Sequence, residues 1–336
     1  MSLPPSLPPP STKAPRSILT QPSISAVPFQ LRANDVKIHI LNIDSRFRQR
    51  PIAGNPAAEP AEFIATEKSQ ASDFYYMVSP PIKNVLRIRV TSIEFPNNYP
   101  FFTAKRHNTT LRILFDDNGT GQAITITIPD GNYTAEDMNT TLSDIFADAA
   151  YGITWLSVKF DPISGGFTFS GTKRFAIDAP YDSYMRPFDY GLAYYLGFTR
   201  QLHKSTKPCA NVPNCWEITS DMCANFAGDP YLLLRVNDYS CVRHATTTNS
   251  FTALAKIVLR EPKNYMSFDD YSSQHAKEVV FPTPQNISRL HIQVLDPYGE
   301  PIDMCSSNFS FSLEVLEIRN SSLYSTILGS ISTHYF

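Results

Sequence analysis

The sequence predicts a mostly β fold, and three observations carry that prediction. Short runs of alternating apolar and polar residues recur through most of the chain. Phe, Tyr and Pro are abundant, at 22, 17 and 27 residues, which favours strands and irregular connections over helices. One stretch alone has a clear helical period.

Residues 1–35 read as an extended arm, because Pro4, Pro5, Pro8, Pro9, Pro10, Pro15, Pro22 and Pro28 exclude a helix or a central strand. A first strand follows over 36–43, with Val36, Ile38 and Ile40 on one face. A loose stretch with Pro51, Gly54, Pro56 and Pro60 separates it from a second strand. There Leu86, Ile88 and Val90 alternate with Arg87, Arg89 and Thr91, and the opposite parity of Ile93 and Phe95 predicts a β-bulge near Ser92. Leu111, Ile113 and Phe115 pair with Ile124, Ile126 and Ile128 across Asn118-Gly119, a strong hairpin signal. Thr134 and Asp137 resemble a capping box that opens a helix over about 134–150, with Met138, Leu142, Ile145 and Phe146 on one face.

Leu156, Val158 and Phe160 then pair with Phe167 and Phe169 across a Pro- and Gly-containing turn. Residues 179–229 are rich in Tyr, Pro and Cys with weak periodicity, and read as a long loop or insertion. Strands resume at Leu232–Val236, at 253–259, at 290–294 before the Asp296–Gly299 turn, and at 309–315. Residues 321–336 form a tail. Ten to twelve short strands and one helix make a β-sandwich body over 36–320, with a jelly roll as first choice of topology.

A formal net charge of −2 argues against a general nucleic-acid binder. Charged residues make up only 18%, below the ~25% typical of soluble domains, which suits a surface packed among neighbours. No run of about 18 apolar residues occurs, and the first ten residues lack a signal-peptide layout, so synthesis in the cytosol of the expressing cell is expected. The first 50 residues hold Lys13, Arg16, Arg32, Lys37, Arg46, Arg48 and Arg50 against Asp35 and Asp44. This bias suits a solvated tail or docking onto acidic neighbours.

No phosphate loop, His-Glu-x-x-His or Gly-x-Ser-x-Gly occurs, so no catalytic, cofactor-binding or metal-ligating residue is assigned and no enzyme activity is expected. The pairs Asp116-Asp117 and Asp269-Asp270 read as solvated loop carboxylates. Cys209, Cys215, Cys223 and Cys241, flanked by His203 and His244, lack the Cys-x-x-Cys pair that marks zinc, and unpaired thiols are the leading expectation. Tyr181, Tyr184, Tyr190, Tyr194, Tyr195 and Trp216 offer the aromatic faces of an alternative function, a glycan-binding jelly-roll module.

Five segments in order give the chain a resemblance. They are Leu41-Asn-Ile-Asp-Ser-Arg46; Val90–Asn97 with Tyr99-Pro-Phe-Phe102; Ile128-Pro-Asp-Gly-Asn-Tyr-Thr134; Leu196-Gly-Phe198; and Tyr231–Asn237. Across residues 39–318 the chain resembles minor capsid proteins of the nucleocytoplasmic large DNA viruses. The resemblance implies a jelly-roll component of an icosahedral shell, at a vertex or beneath the major capsomers. Its partners would be the major capsid protein and other minor capsid proteins, with self-association and proximity to an inner membrane left open and no specific nucleic acid. Some of these viruses assemble with thiol oxidation, so the resemblance also allows one disulfide, Cys209–Cys215. Locally, Asp44 and Arg46 suit a salt bridge or a subunit contact.

Overall fold

The computed structural model describes residues 35–48, 70–115, 121–182, 186–205, 207–208, 214–245, 250–270, 278–305 and 307–319. The Pro-rich arm, the C-terminal tail, Asp116-Asp117, Asn118-Gly119, Tyr184 and Cys209 lie outside these residues. The described chain is mostly β, and its strand pairings are all antiparallel.

The strands gather around two large hydrophobic cores, and Leu233, Ala253 and Leu295 form a small third cluster. The first is enclosed by β1 (Val36–Asp44) and β2 (Asp73–Pro96) from the N-terminal side. Then the chain leaves this core at Pro96 and builds the second one. That core takes β3 (Thr110–Phe115), β4 (Gln122–Thr127), α1 (Ala135–Ala147), β5 (Leu156–Asp161), β6 (Gly166–Gly171) and β7 (Phe175–Asp178). Three short strands complete it: β8 (Leu202–Lys204), β9 (Lys207–Pro208) and β10 (Trp216–Thr219). The chain returns to the first core with β11 (Tyr231–Val236), followed by β12 (Val242–Ala245), β13 (Ser250–Ala253), β14 (Ala255–Val258), β15 (Met266–Asp269), β16 (Glu278–Leu295) and β17 (Ser310–Ile318).

The main sheet runs β1-β17-β2-β16-β11-β14, with β15 also paired to β2. The first strand thus lies beside the last, and the sheet curls around Phe74, Val85, Ile88, Val90, Phe95, Leu234, Ile292, Val294, Phe311 and Leu313, a jelly-roll-like β-sandwich. The curl follows from the sequence. Pro80 and Pro81 in β2, and Pro282 and Pro284 in β16, supply no N–H to the ladder. The β2–β16 register shifts between Val280 and Gln285 and again on either side of Ile287.

The predicted bulge is present. Ser92 stands opposite Ser312 and Val90 opposite Leu313, so Thr91 is the extra residue. A second irregularity was not foreseen: Leu316 faces Arg87 but Glu317 faces Val85. It puts Val85, not Leu86, in the core with Ile88. Strands β2 and β16 are also far longer than their alternations suggested, because the prolines hide the first half of each. Residues 253–259 split into β13 and β14 at Leu254.

The second core lies between the sheets β4-β3-β7-β8 and β5-β6-β10-β9, with α1 alongside. Val158 opposes Phe169 and Phe160 opposes Phe167, as the alternation indicated. Helix α1 carries the full capping box: Thr134 Oγ1 accepts from Asp137 N at 3.1 Å, and Asp137 Oδ2 accepts from Thr134 N at 3.1 Å. Its buried face is Met138, Leu142 and Phe146.

Residues 179–229 are not a long loop. They supply β8, β9, β10 and two helical turns, Ala179–Asp182 and Leu192–Tyr195. They also put Tyr190, Leu192, Leu196, Phe198 and Ile218 into the second core. Weak periodicity reflects elements too short to show one. Gly197 illustrates the tightness of this region. Its φ is +94°, and a Cβ there would sit 2.2 Å from the Met222 carbonyl oxygen, so only glycine fits.

Candidate functional site

Two of the motif segments meet where the chain passes between the cores. Phe102 and Gly131 exchange backbone hydrogen bonds of 3.0 and 2.9 Å. Asn132 Oδ1 accepts from Phe101 N at 2.9 Å, and its Nδ2 donates to Tyr99 O at 3.1 Å. Asp130 accepts from Ala104 N at 2.9 Å. Asn97, buried at the exit from β2, donates to Glu261 O at 2.9 Å. Buried backbone groups need such partners wherever no ladder supplies them. The Pro-Asp-Gly-Asn turn is therefore a clasp on the segment that leaves the first core.

A cluster of charged and aromatic side chains lies beside this clasp. The Arg106 guanidinium, 12% exposed, donates to Asp229 at 2.9 Å and lies 3.3 Å from Asp296. Tyr99 Oη donates to Asp229 at 3.2 Å. The Phe101 ring centroid is 4.9 Å from the guanidinium carbon. Tyr190 Oη donates to Arg106 O at 2.7 Å. Lys263 Nζ sits 3.7 Å from the centre of the Tyr99 ring and donates to Tyr99 O at 3.2 Å. Arg186 covers the Tyr298 ring at 4.7 Å. Arg106 belongs to the second core's side of the chain. Asp229 and Asp296 flank strands of the main sheet, so the cluster ties the two cores together.

Burial sets the electrostatics here. It pushes the Asp229 carboxyl up against the pull of Arg106. It works to discharge Arg106, but Asp229 and Asp296 outweigh it and hold the guanidinium charged. Burial and then the Asp229 charge drive the Tyr99 phenol far up, burial does the same to Tyr190 and Tyr195, and it raises Tyr298. Lys263 is lowered to about 8 by burial, with Asp229 resisting. An adjoining cavity of about 600 Å³ is lined by Tyr99, Arg106, Arg186, Asp130, Asp296 and Cys305 among others. Within its lining Arg106 pairs with Asp296, and burial raises the Cys305 thiol. The cluster does the work of an electrostatic lock.

A second candidate surface is the outer face of the main sheet. Across it run the rows Ile38-Leu316-Arg87-Val280 and Ile40-Glu314-Arg89-Glu278. Glu314 bonds Arg87 at 3.0 Å and Arg89 at 2.7 Å, and Arg87 lies 3.4 Å from Glu278. Ile38, Ile40 and Val280 are 55, 59 and 58% exposed. The predicted apolar face of β1 is thus real but points outward. The inward residues are Leu41 and Ile43, which pack on the first core.

The remaining sequence-predicted residues fall as follows. Asp44 caps the turn Ser45–Phe47 and bonds Arg46 Nη2 at 2.5 Å, a local pair. Asp269 is not a solvated loop carboxylate. It ends β15, is buried, and lies 3.7 Å from Arg260, while Asp270 is exposed. Cys215 is disulfide-bonded, which corrects the expectation of unpaired thiols at that position. Cys223 is an exposed free thiol, and Cys241 donates to Glu278 O at 2.8 Å. His203 is buried, bonding Thr199 O at 2.9 Å. Among the described residues no group of three His, Cys, Asp or Glu is placed to hold a metal ion. Tyr190 and Tyr195 are buried, Tyr194 and Trp216 are half-buried, and Arg174 covers Trp216 at 4.3 Å. The aromatic stretch is therefore core and not an open glycan platform; Tyr181 alone among its described rings is exposed.

Sequence reasoning missed Arg106, Asp229, Lys263 and Asp296 as a group. Arg106 lies more than a hundred residues from the other three, and the four share no motif. The one available signal was the isolated Asp229-Pro230 between the Cys-rich stretch and β11.

No protein-family model matches the chain, and no curated protein matches it either. Among solved structures it is similar to the selenomethionine-labelled mavirus penton protein. The identity is 11% and the TM-score 0.44, over 83% of this chain and 99% of that one.

Proposed function

We propose that the chain is a non-enzymatic structural component of an icosahedral virus capsid, a minor capsid protein. In this reading it contacts and links capsomers through its β body and its N-terminal arm. The observation that carries the proposal is how the residues in the resembling segments are used. Asn97, Asp130, Asn132 and Asn237 all spend their side chains on backbone groups. Residues employed this way define a shape, and a shape is what a shell component contributes.

Two surface features support the reading. The outer sheet face presents apolar side chains around a paired-charge stripe, a mixture suited to burial against a neighbour. The arm carries Lys13 and Arg16 without an acidic residue before Asp35, so it suits acidic partner surfaces. The partners are the major capsid protein and other minor capsid proteins, and the protein resides in the virion after synthesis in the host cytoplasm.

Cross-linking mass spectrometry on gradient-purified particles tests this. Cross-links from Lys13 and Lys37 to major or minor capsid subunits are expected. Absence of the protein from clean particles would overturn the proposal.

A further inference from the structure

The outer face of the main sheet has an order that its composition conceals. Strands β16, β2, β17 and β1 lie side by side, and their pairings define rows across them. The row Val280-Arg87-Leu316-Ile38 is aliphatic at both ends. The row Glu278-Arg89-Glu314-Ile40 carries opposite charges at its two central places. Further along, β2 and β17 set Ser92 beside Ser312 and Glu94 beside Ser310. Ile38, Ile40 and Val280 are each more than half exposed, and the side chains of Arg87 and Arg89 are 29 and 35% exposed. Arg89 bonds Glu314 through Nη2, and its Nε has no acceptor, so the guanidinium has donors to spare.

We propose that this face binds the same face of a second copy of the chain, about a two-fold axis running along the strands between β2 and β17. Such an axis sets each row against its own reverse. Val280 then meets the second copy's Ile38, and Ile38 meets its Val280. Arg89 meets the second copy's Glu314 and Glu314 its Arg89, so two ion pairs become one square of alternating charge. Ser92 meets Ser312, and Glu94 meets Ser310. In these rows no like charges are opposed. A two-fold axis laid across the strands through the charged row would instead set Arg89 on Arg89 and Glu314 on Glu314. An unrelated partner gives no reason for rows to match their own reverse, whereas a second copy requires it. Sheets pack face to face about 10 Å apart with their strands inclined by about 30°, so contact is closest along the axis, where the charged square lies. Four strands ~4.8 Å apart and nine residues at ~3.3 Å give roughly 550 Å² per copy, the low end for a specific interface. The dimer is therefore weak in dilute solution and fills where copies are concentrated. It rests on the reading of this face as one buried against a neighbour, and names that neighbour.

Sedimentation equilibrium of the full-length protein tests this, with a monomer–dimer equilibrium expected between about 1 and 200 μM. Arg89→Glu and Glu314→Arg each set like charges across the axis, and each alone is expected to weaken dimerisation at least ~10-fold. Mixed in equal amounts, the two variants again oppose unlike charges at every central position, so the mixture is expected to dimerise. Ile38→Asp changes an exposed side chain, leaves the fold intact and is expected to weaken dimerisation at least ~10-fold, which keeps the test open if a charge variant does not fold. A monomer at every concentration would overturn the proposal. So would unchanged dimerisation of Ile38→Asp, or folded charge variants whose mixture stays monomeric. Each of these results leaves the particle cross-linking outcome unaffected, since that experiment reads contacts with other capsid subunits.

Discussion

The two cores bury similar amounts of apolar side chain but are assembled in opposite ways. The first closes by pairing β1 with β17, residues that lie at opposite ends of the described chain. The second is built from neighbours: β3 with β4 and β5 with β6. The first is largely Val, Ile and Leu, whereas the second is dense in rings, with Phe102, Phe146, Phe167, Phe169, Phe175, Tyr190 and Phe198 all fully buried. Local pairing costs less chain entropy than closing the termini, so the second core has the structural means to form first. The charged cluster around Arg106 then decides whether the cores behave as one unit.

The largest expected effect comes from breaking that link. Arg106→Ala leaves Asp229 and Asp296 buried without their cation, which costs about 3–5 kcal/mol. Both tryptophans, Trp155 and Trp216, pack on the second core, so their fluorescence follows that core while far-UV circular dichroism follows the whole. The two urea transitions are expected to coincide in the original protein and to separate in the variant. Coincident transitions in Arg106→Ala would mean that apolar contact alone couples the cores.

Gly197→Ala comes next and strikes the second core alone. A left-handed φ and a clash with the Met222 carbonyl make the substitution cost about 2–3 kcal/mol. The tryptophan transition is expected to move to lower urea by more than the circular dichroism transition. An equal shift in both would show that strain in one core is transmitted fully to the other.

These two sites also mark what sequence could and could not disclose. Helix α1, the β5–β6 hairpin and the bulge after Val90 were legible because each is written in adjacent residues. The first halves of β2 and β16 were not, because prolines masked strands that bend there. The short strands within 179–229 escaped because three or four residues carry no measurable period. Of the joint, the Pro-Asp-Gly-Asn turn stood out as one of the resembling segments, but its grip on Tyr99–Phe102 was not legible. Arg106 and its acids were invisible, since only the fold brings them together. The outward turn of Ile38 and Ile40 was equally hidden: alternation reveals a face but not which side is the interior.

Lys263 allows the joint to be read without disrupting it. Its ammonium is held near 8 in the folded chain and returns to about 10.4 on unfolding. Between these values the unfolded chain binds more protons, so Lys263 makes stability rise with pH, by at most about 1.4 kcal/mol per unit. Above about 10 the raised tyrosines act in the opposite sense, so the useful window is pH 7.5–9.5. Lys263→Met keeps the apolar stem and removes the titration. The stability difference, original minus variant, is expected to grow by on the order of 1 kcal/mol across the window. A difference that stays flat would mean that Lys263 is solvated and not part of the joint.

The smallest effect serves as the reference for the rest. Thr134 caps α1 at the surface, away from the Arg106 cluster, and its capping box depends on adjacent residues alone. Thr134→Ala removes the acceptor for Asp137 N and is expected to cost about 1 kcal/mol, because a cap offsets one orphan donor and little else. Helix α1 packs on the second core, so the loss should register first in tryptophan fluorescence. Combined with Arg106→Ala it should add within about 0.5 kcal/mol, the behaviour of sites without shared partners. A larger deviation would reveal that the clasp at Asp130–Asn132, which adjoins both sites, carries strain from the helix start into the charged joint.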